Sequence, residues 1–226
     1  MKLSAIIVAA GSSRRMGFDK LEALLCGESV LTRSLTAFQN CPDVSEIIVV
    51  TSPAKMEAVR NAVDRLKLSK FAGAVEGGAE RHLSVHAGLE QMNSDCDLVA
   101  VHDAARPLVS PNAISQCAAA AADSGAASLA HRIADTLKRA NASGEVSQSV
   151  SRDDLWAMET PQIFRVALLR EAYRAVLERG DTVTDEVSAL EVIGHPVKLV
   201  ENAEPNFKIT VPADLALAEA LLKAKS

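Results

Sequence analysis

The chain has 226 residues, 48% of them hydrophobic, and a net charge of −5, values that suit one α/β domain and exclude a disordered polyelectrolyte. With aromatic residues at 3%, it has neither the basic excess of a general nucleic-acid surface nor the rings of a base-stacking platform. No apolar run is long enough to cross a membrane, and Cys26, Cys41, Cys96 and Cys117 form no CxxC pair, so buried thiols in a reducing cytoplasm are expected.

The first apolar run, Leu3 to Val8, reads as a buried parallel strand. It is too short for a signal peptide and leads straight into charged sequence. That sequence is Ala9-Ala10-Gly11-Ser12-Ser13-Arg14-Arg15-Met16-Gly17-Phe18-Asp19-Lys20. Glycine lets the backbone approach a ligand, exposed amides in such a loop attract anions, and Arg14, Arg15 and Lys20 add full positive charge. These parts suit a polyphosphate. The plain alternative is a strand-to-helix turn with solvated arginines. Gly11 and Gly17 are wrongly spaced for GxxxxGK[ST], and GSSRRMG is not GxGxxG. The second mismatch opposes a dinucleotide-dependent oxidoreductase.

Farther along, Leu24, Leu25, Val30, Leu31, Leu35 and Phe38 recur at helical spacing, with Ser29 as the expected N-cap. Glu46 to Thr51 reads as a second strand, and Ser52-Pro53 as the opening of a helix. Phe71 to Val75 is a third strand and ends in Glu76-Gly77-Gly78-Ala79-Glu80-Arg81, before a helix through His82 to Met92. A fourth strand, Asp97 to Val101, empties into His102-Asp103-Ala104-Ala105-Arg106-Pro107. Pro111 to Ser124 is an alanine-rich helix and Ala126 to Ala130 a fifth strand. This alternation predicts a mostly parallel sheet with helices on both faces.

The pattern changes at His131. From there to Asp154 polar and apolar residues alternate around Asn141-Ala142-Ser143-Gly144, a hairpin signature with little to bury. We expect a projecting β-arm over about residues 131–155, packed on a second copy of the chain. Trp156 to Thr160 comes next, then helices over Val166 to Glu178 and Thr184 to Val192. Strands near Val197 to Glu201 and Phe207 to Thr210 precede a closing helix from Pro212. Nothing divides residues 1–226 into two domains.

Ligands of open parallel sheets bind at the carboxyl ends of strands. Residues 9–20, 76–84 and 102–107 are three unusual turns at such ends. Asp103, where a strand stops, either caps a turn or holds Mg²⁺ beside phosphate oxygens; the expected nearness of Arg106 and the cationic loop favours the metal. His102 has no partner His or Cys at metal-ligand spacing and reads as a hydrogen-bonded core residue. Taken alone, Arg152 and Lys208 read as solvated surface cations.

AAGSSRRMG, EGGAER, VHDAARP, DTLKR, ETPQIF, TDEVSALE and NFKIT occur in the order found in the 2-C-methyl-D-erythritol 4-phosphate cytidylyltransferases, and the chain resembles that family nearly end to end. The resemblance implies a Rossmann-like nucleotidyltransferase fold with a dimerising arm, a cytidylyl transfer from CTP, and a Mg²⁺ cofactor. It implies that Arg15 and Lys20 stabilise the transition state at the α-phosphate, that Asp103 is associated with the metal, and that Arg106 lies beside it. Ala9, Ala10, Gly78 and Ser84 match positions around cytosine and ribose, beside Gly11 and Ser12 of the loop. Thr136, Arg152 and Lys208 match groups that hold the methylerythritol phosphate, with Arg152 and Lys208 also at catalytic positions. Asp19 and Leu21 stand where the family usually has Pro and Gln around Lys20, and Ala79 where it often has Asp. A cytidylyltransferase for another polyol phosphate, such as ribitol 5-phosphate, is the nearest rival, and a non-catalytic nucleotide-binding protein a more distant one. Asp185 and Glu186 either favour a helix N-terminus or hold the arm of a partner.

Overall fold

Strand β1 (Leu3–Val8) is the axis of the sheet in the computed structural model, which describes residues 1–11 and 16–224. A two-residue ladder, β2 (Leu24–Leu25) with β3 (Glu28–Ser29), precedes α1 (Val30–Asn40). Helical spacing alone would place Leu24 and Leu25 in the helix. The helix instead begins after Ser29, whose side chain accepts from the Thr32 amide, so the predicted cap sets the boundary and the preceding leucines turn back in the ladder. Next come β4 (Val44–Thr51), a 3-10 turn over Pro53–Lys55 and α2 (Met56–Leu66). They lead to β5 (Phe71–Glu76), α3 (Arg81–Gln91), β6 (Leu98–Asp103), α4 (Pro111–Ser124) and β7 (Ala126–Arg132). The hairpin is β8 (Leu137–Ala140) with β9 (Val146–Val150). The chain closes with β10 (Trp156–Arg165), α5 (Val166–Arg179), α6 (Glu186–Val192), β11 (Lys198–Glu201) and α7 (Pro212–Ala224).

Seven strands form the main sheet in the order β11-β7-β10-β6-β1-β4-β5. All run parallel except β10, which enters antiparallel between β6 and β7. Its pairing with β7 shifts register between Met158 and Gln162, across Pro161, which has no amide to donate to the ladder. That interruption frees Glu159 and Thr160 to bond distant polar groups through their side chains. Alternate residues of the central strands feed two separate cores. Ala5, Ile7, Ile47, Val49 and Ala100 pack with Leu35 and Phe38 of α1 and Ile114 and Cys117 of α4. Ile6, Ile48, Val50, Val99 and Val101 pack with Val85 and Leu89 of α3, Tyr173 of α5 and Leu190 of α6. The period of two places successive residues on opposite faces, so each apolar run serves both layers. This is the mostly parallel, doubly covered sheet that the alternation of strands and helices predicts.

Phe207 to Thr210, expected as a strand, joins no ladder among the described residues. It is fixed by the Ile209 amide donating to the Ala105 carbonyl (2.8 Å). The main sheet runs through Arg132, so His131 and Arg132 belong to β7, and the hairpin beyond is exposed along nearly its whole length. Cys41, Cys96 and Cys117 are buried as expected; Cys26 is exposed. Among the described residues no helix is long and apolar enough to cross a membrane.

Candidate active site

The ladder of β1, β4, β5 and β6 continues a residue past the strands. Ala9 N donates to Val50 O (2.7 Å), Gly77 N to Thr51 O (2.9 Å) and Ala104 N to Val8 O (3.0 Å). These bonds hold the three turns side by side at the carboxyl end of the sheet. Between them opens a cleft of about 540 Å³, walled by residues 8–11, Met16, Lys20 and Leu21 on one side and by residues 78–81 and Ser84 on another. Asp103, Ala105, Lys208 and Thr210 complete it. Glycine is required in one wall: a Cβ on Gly77 would stand 2.8 Å from the Ala10 Cβ and 2.7 Å from the Ser84 hydroxyl, and one on Gly78 would stand 2.4 Å from the Leu83 Cβ.

The charges in the cleft are organised around Asp103. Its Oδ2 accepts from Lys208 Nζ (2.7 Å) and its Oδ1 from Arg81 Nε (3.3 Å). Burial alone would raise this carboxyl; Arg81 and then Lys208 outweigh it and hold the group well below the usual carboxylate range. Arg81 is itself gripped by Glu186, Nη1 to Oε1 at 2.6 Å and Nη2 to Oε2 at 2.9 Å, a bidentate pair. Glu186 is fully buried and also accepts from the Tyr173 hydroxyl (2.9 Å). Burial works against the charge on Arg81, and the Glu186 and Asp103 carboxylates more than restore it, so its pKa stands above the usual value. Asp185 next door caps α6, accepting from the Ser188 amide (3.0 Å). Of the two roles left open for the Asp185–Glu186 pair, the cap belongs to Asp185, while Glu186 anchors Arg81 within its own chain.

Behind Asp103, Thr160 joins β10 to the site. The Asp103 amide donates to Thr160 Oγ1 (3.0 Å), and that hydroxyl lies 3.1 Å from His102 Nδ1. His102 Nε2 lies 3.2 Å from the Arg106 carbonyl, which can only accept, so the proton sits on Nε2 and Nδ1 accepts from Thr160. Complete burial pushes the imidazole down to about 3, keeping it neutral. The core role predicted for His102 stands.

Arg106 turns away from the cleft walls. Its guanidinium donates to the Asn206 carbonyl (2.8 Å) and the Met158 carbonyl (3.2 Å). Asn206 in turn donates to Glu159 (2.9 Å) and to the Thr160 carbonyl (2.9 Å). Arg106 thus braces the segment that carries Lys208 into the cleft. Lys20 Nζ reaches across to the Ile209 carbonyl of the same segment (2.7 Å).

The family model of the IspD group, 2-C-methyl-D-erythritol 4-phosphate cytidylyltransferase, matches residues 3–224. The chain belongs to the 2-C-methyl-D-erythritol 4-phosphate cytidylyltransferase family. A family member from Caldanaerobacter subterraneus is 40% identical over 99% of this chain and 100% of its own. One from Alkaliphilus oremlandii is 37% identical over 99% and 96%. Among solved structures, the cytidylyltransferase of Thermus thermophilus superposes with a TM-score of 0.82 at 34% identity, covering 99% of this chain and 100% of that one. The synthase from Anaerococcus prevotii gives a TM-score of 0.85 at 28% identity, over 98% and 96%. The fold is accordingly that of the family's nucleotidyltransferases.

Of the positions marked by resemblance to the cytidylyltransferases, Ala9, Ala10, Gly11, Lys20, Gly78, Ser84, Asp103 and Lys208 all line the one cleft. Ser12 and Arg15 lie outside the described residues. Thr136 and Arg152 sit exposed on or beside the arm and are not among the residues lining the cleft of their own chain, with Arg152 Nη1 donating to the Ala134 carbonyl. The place of Arg81 in the cleft, and its pairing with Glu186, escape sequence reasoning. Arg81 follows a glycine turn and could be singled out for that, but nothing local announces its partner 105 residues later.

Proposed function

We propose that this chain transfers the cytidylyl group of CTP to the phosphate of 2-C-methyl-D-erythritol 4-phosphate, giving 4-diphosphocytidyl-2-C-methyl-D-erythritol and pyrophosphate. The observation that carries the assignment to particular residues is the convergence of Lys20, Arg81, Lys208 and Asp103 on one glycine-walled cleft at the strand ends. The acceptor is already an anion, so no covalent nucleophile or general base is needed. The obstacle is repulsion: two unit charges about 4 Å apart cost roughly 4 kcal/mol at an effective dielectric of about 20. Cations fixed before substrate arrives lower that cost and favour the more highly charged transition state. Lys20, tied to the Ile209 carbonyl, is the cation assigned to the α-phosphate, together with Arg15. Lys208 is assigned to the incoming phosphate, steered by its bond to Asp103. Ala9, Ala10, Gly11, Gly78 and Ser84 of the cleft wall, together with Ser12, are assigned to the nucleoside.

Asp103 suits Mg²⁺: an ionised carboxylate facing a cleft lined by cations is the donor this ion accepts, completed by phosphate oxygens and water. Among the described residues no cluster of three ligating side chains competes with it. When bound, the ion would neutralise phosphate charge and polarise the α-phosphorus. Thr136 and Arg152 are assigned to the alcohol phosphate of a neighbouring subunit's cleft. An exposed hairpin with Val146 two-thirds exposed supports an arm that docks on a second copy. The scattered free cysteines support a cytoplasmic setting.

Pyrophosphate release with CTP, Mg²⁺ and methylerythritol phosphate tests the reading, with ATP, GTP and UTP as nucleotide controls and ribitol 5-phosphate as the rival alcohol. Release only with CTP and methylerythritol phosphate is expected; release with ribitol 5-phosphate instead, or none, rejects it.

A further inference from the structure

Lys55 ends the 3-10 turn after β4, far in sequence from the two groups it binds. Its Nζ donates to the Gly11 carbonyl (2.8 Å) and to Asp19 Oδ1 (3.2 Å), and stands 3.0 Å from Asp19 Oδ2 in an ion pair. Two of the ammonium's three protons go to these acceptors and the carboxylate balances its charge, so the group is engaged within the fold. Both side chains are about four-fifths covered, at 19% and 21% exposure, which sets the pair apart from a screened surface bridge.

The two groups that the contact joins matter more than its strength. Gly11 stands before the glycine-serine loop and Asp19 after it. Asp19 also shapes the next turn: its Oδ1 accepts from the Leu21 amide (3.1 Å) and its carbonyl from the Glu22 amide (3.2 Å). Between those bonds lies Lys20, which enters the cleft. A cation from a separate element therefore ties Gly11 to Asp19, beside the turn from which Lys20 leaves for the cleft. We infer that Lys55 is a positioning residue of the nucleotide site, clamping Gly11 to Asp19 so that Lys20 meets the nucleotide in a pre-set geometry. The inference rests on the cytidylyl-transfer reading for its kinetic consequence, though not for the clamp itself.

Losing the clamp leaves the loop's ends to be ordered by CTP, which weakens nucleotide binding and alignment. Lys55→Met and Asp19→Asn, which keeps an acceptor for Leu21, should each lower kcat/KM for CTP by about tenfold, with KM for the alcohol phosphate unchanged. Because both variants break one device, the double variant should be no worse than the poorer single. Hydrogen exchange at the Leu21 and Glu22 amides should quicken in Lys55→Met without any ligand. Kinetic constants within twofold of the parent in both single variants, losses that multiply in the double, or unaltered exchange would each overturn the clamp. Should Lys55→Met fail to fold, Asp19→Asn carries the same comparison. A parent enzyme that releases no pyrophosphate from CTP would reject the functional reading, while the exchange experiment would still decide the clamp.

Discussion

The cleft and the arm are built on opposite terms. Around Asp103, charged and polar side chains are largely buried and nearly every one is held by another: Lys208, Arg81, Glu186 and Tyr173 in one chain of contacts, Thr160 and His102 in a second. In the arm, Leu137–Ala140 and Val146–Val150 pair only with each other among the described residues, and all their side chains but Leu137 and Val150 are exposed. Polar groups in a low-dielectric setting are costly unless satisfied, so the cleft has one stable arrangement. The hairpin lacks that constraint and has surface left to give. Substitutions in the cleft should therefore register in stability as well as turnover, and those in the arm in substrate affinity.

Glu186→Ala should produce the largest change. It takes the bidentate partner from Arg81, leaving only its Asp103 contact, and the acceptor from the buried Tyr173 hydroxyl; breaking such a pair costs about 3 kcal/mol or more, measurable by denaturant unfolding. A loss below about 1 kcal/mol, the range of an exposed pair, would mean the cleft is not the rigid member of the comparison. Lys20→Ala should lower kcat by about a hundredfold, as for removal of one preorganised donor, in a pyrophosphate-release assay. Near-normal turnover would remove Lys20 from the mechanism.

Acid should weaken the cleft before the arm. His102 has a native pKa of about 3 against roughly 6.5 unfolded, so between those values the unfolded chain binds the extra proton. Stability contributed by the neutral imidazole is complete above pH of about 6.5 and falls by about 1.4 kcal/mol per pH unit as acid is added. Asp103, depressed in the native state, adds its own loss only below the ordinary carboxylate pKa of about 4. His102→Gln should flatten the upper part of that curve, read as unfolding free energy against pH. Smallest of the four, Arg152→Lys should raise KM for the alcohol phosphate by about tenfold through loss of the planar two-donor fork. It should leave CTP affinity and unfolding free energy unchanged, and equal weakening of both substrates would erase the division of labour.

Much of the frame could be read from the chain because buried parallel strands are written as local apolar runs, and Leu3–Val8, Val44–Thr51 and Leu98–Asp103 are such runs. Strand β10 was only half visible. Its Glu159-Thr160-Pro161 stretch turns side chains toward distant polar partners, which mimics a loop. The three turns were legible as a site because glycine and charge cluster there in sequence. Lys208, Arg152, Arg81 and Lys55 were not legible in this way: Lys208, Arg81 and Lys55 meet partners supplied by remote residues, and the role proposed for Arg152 has no local signature. Only kinship to other chains pointed to the first two, and only coordinates to the others.

Strand β1 is bonded along its whole length to β4 on one side and β6 on the other, while its neighbouring residues Ile6 and Ile7 belong to different cores. Deleting a single residue from it cannot be absorbed by sliding, since a shift of one would transpose the two interiors and withdraw Gly11 from its place. Changes in chain length are tolerable where nothing is keyed to a count, and the solvent-washed bend at Asn141–Gly144 is such a place.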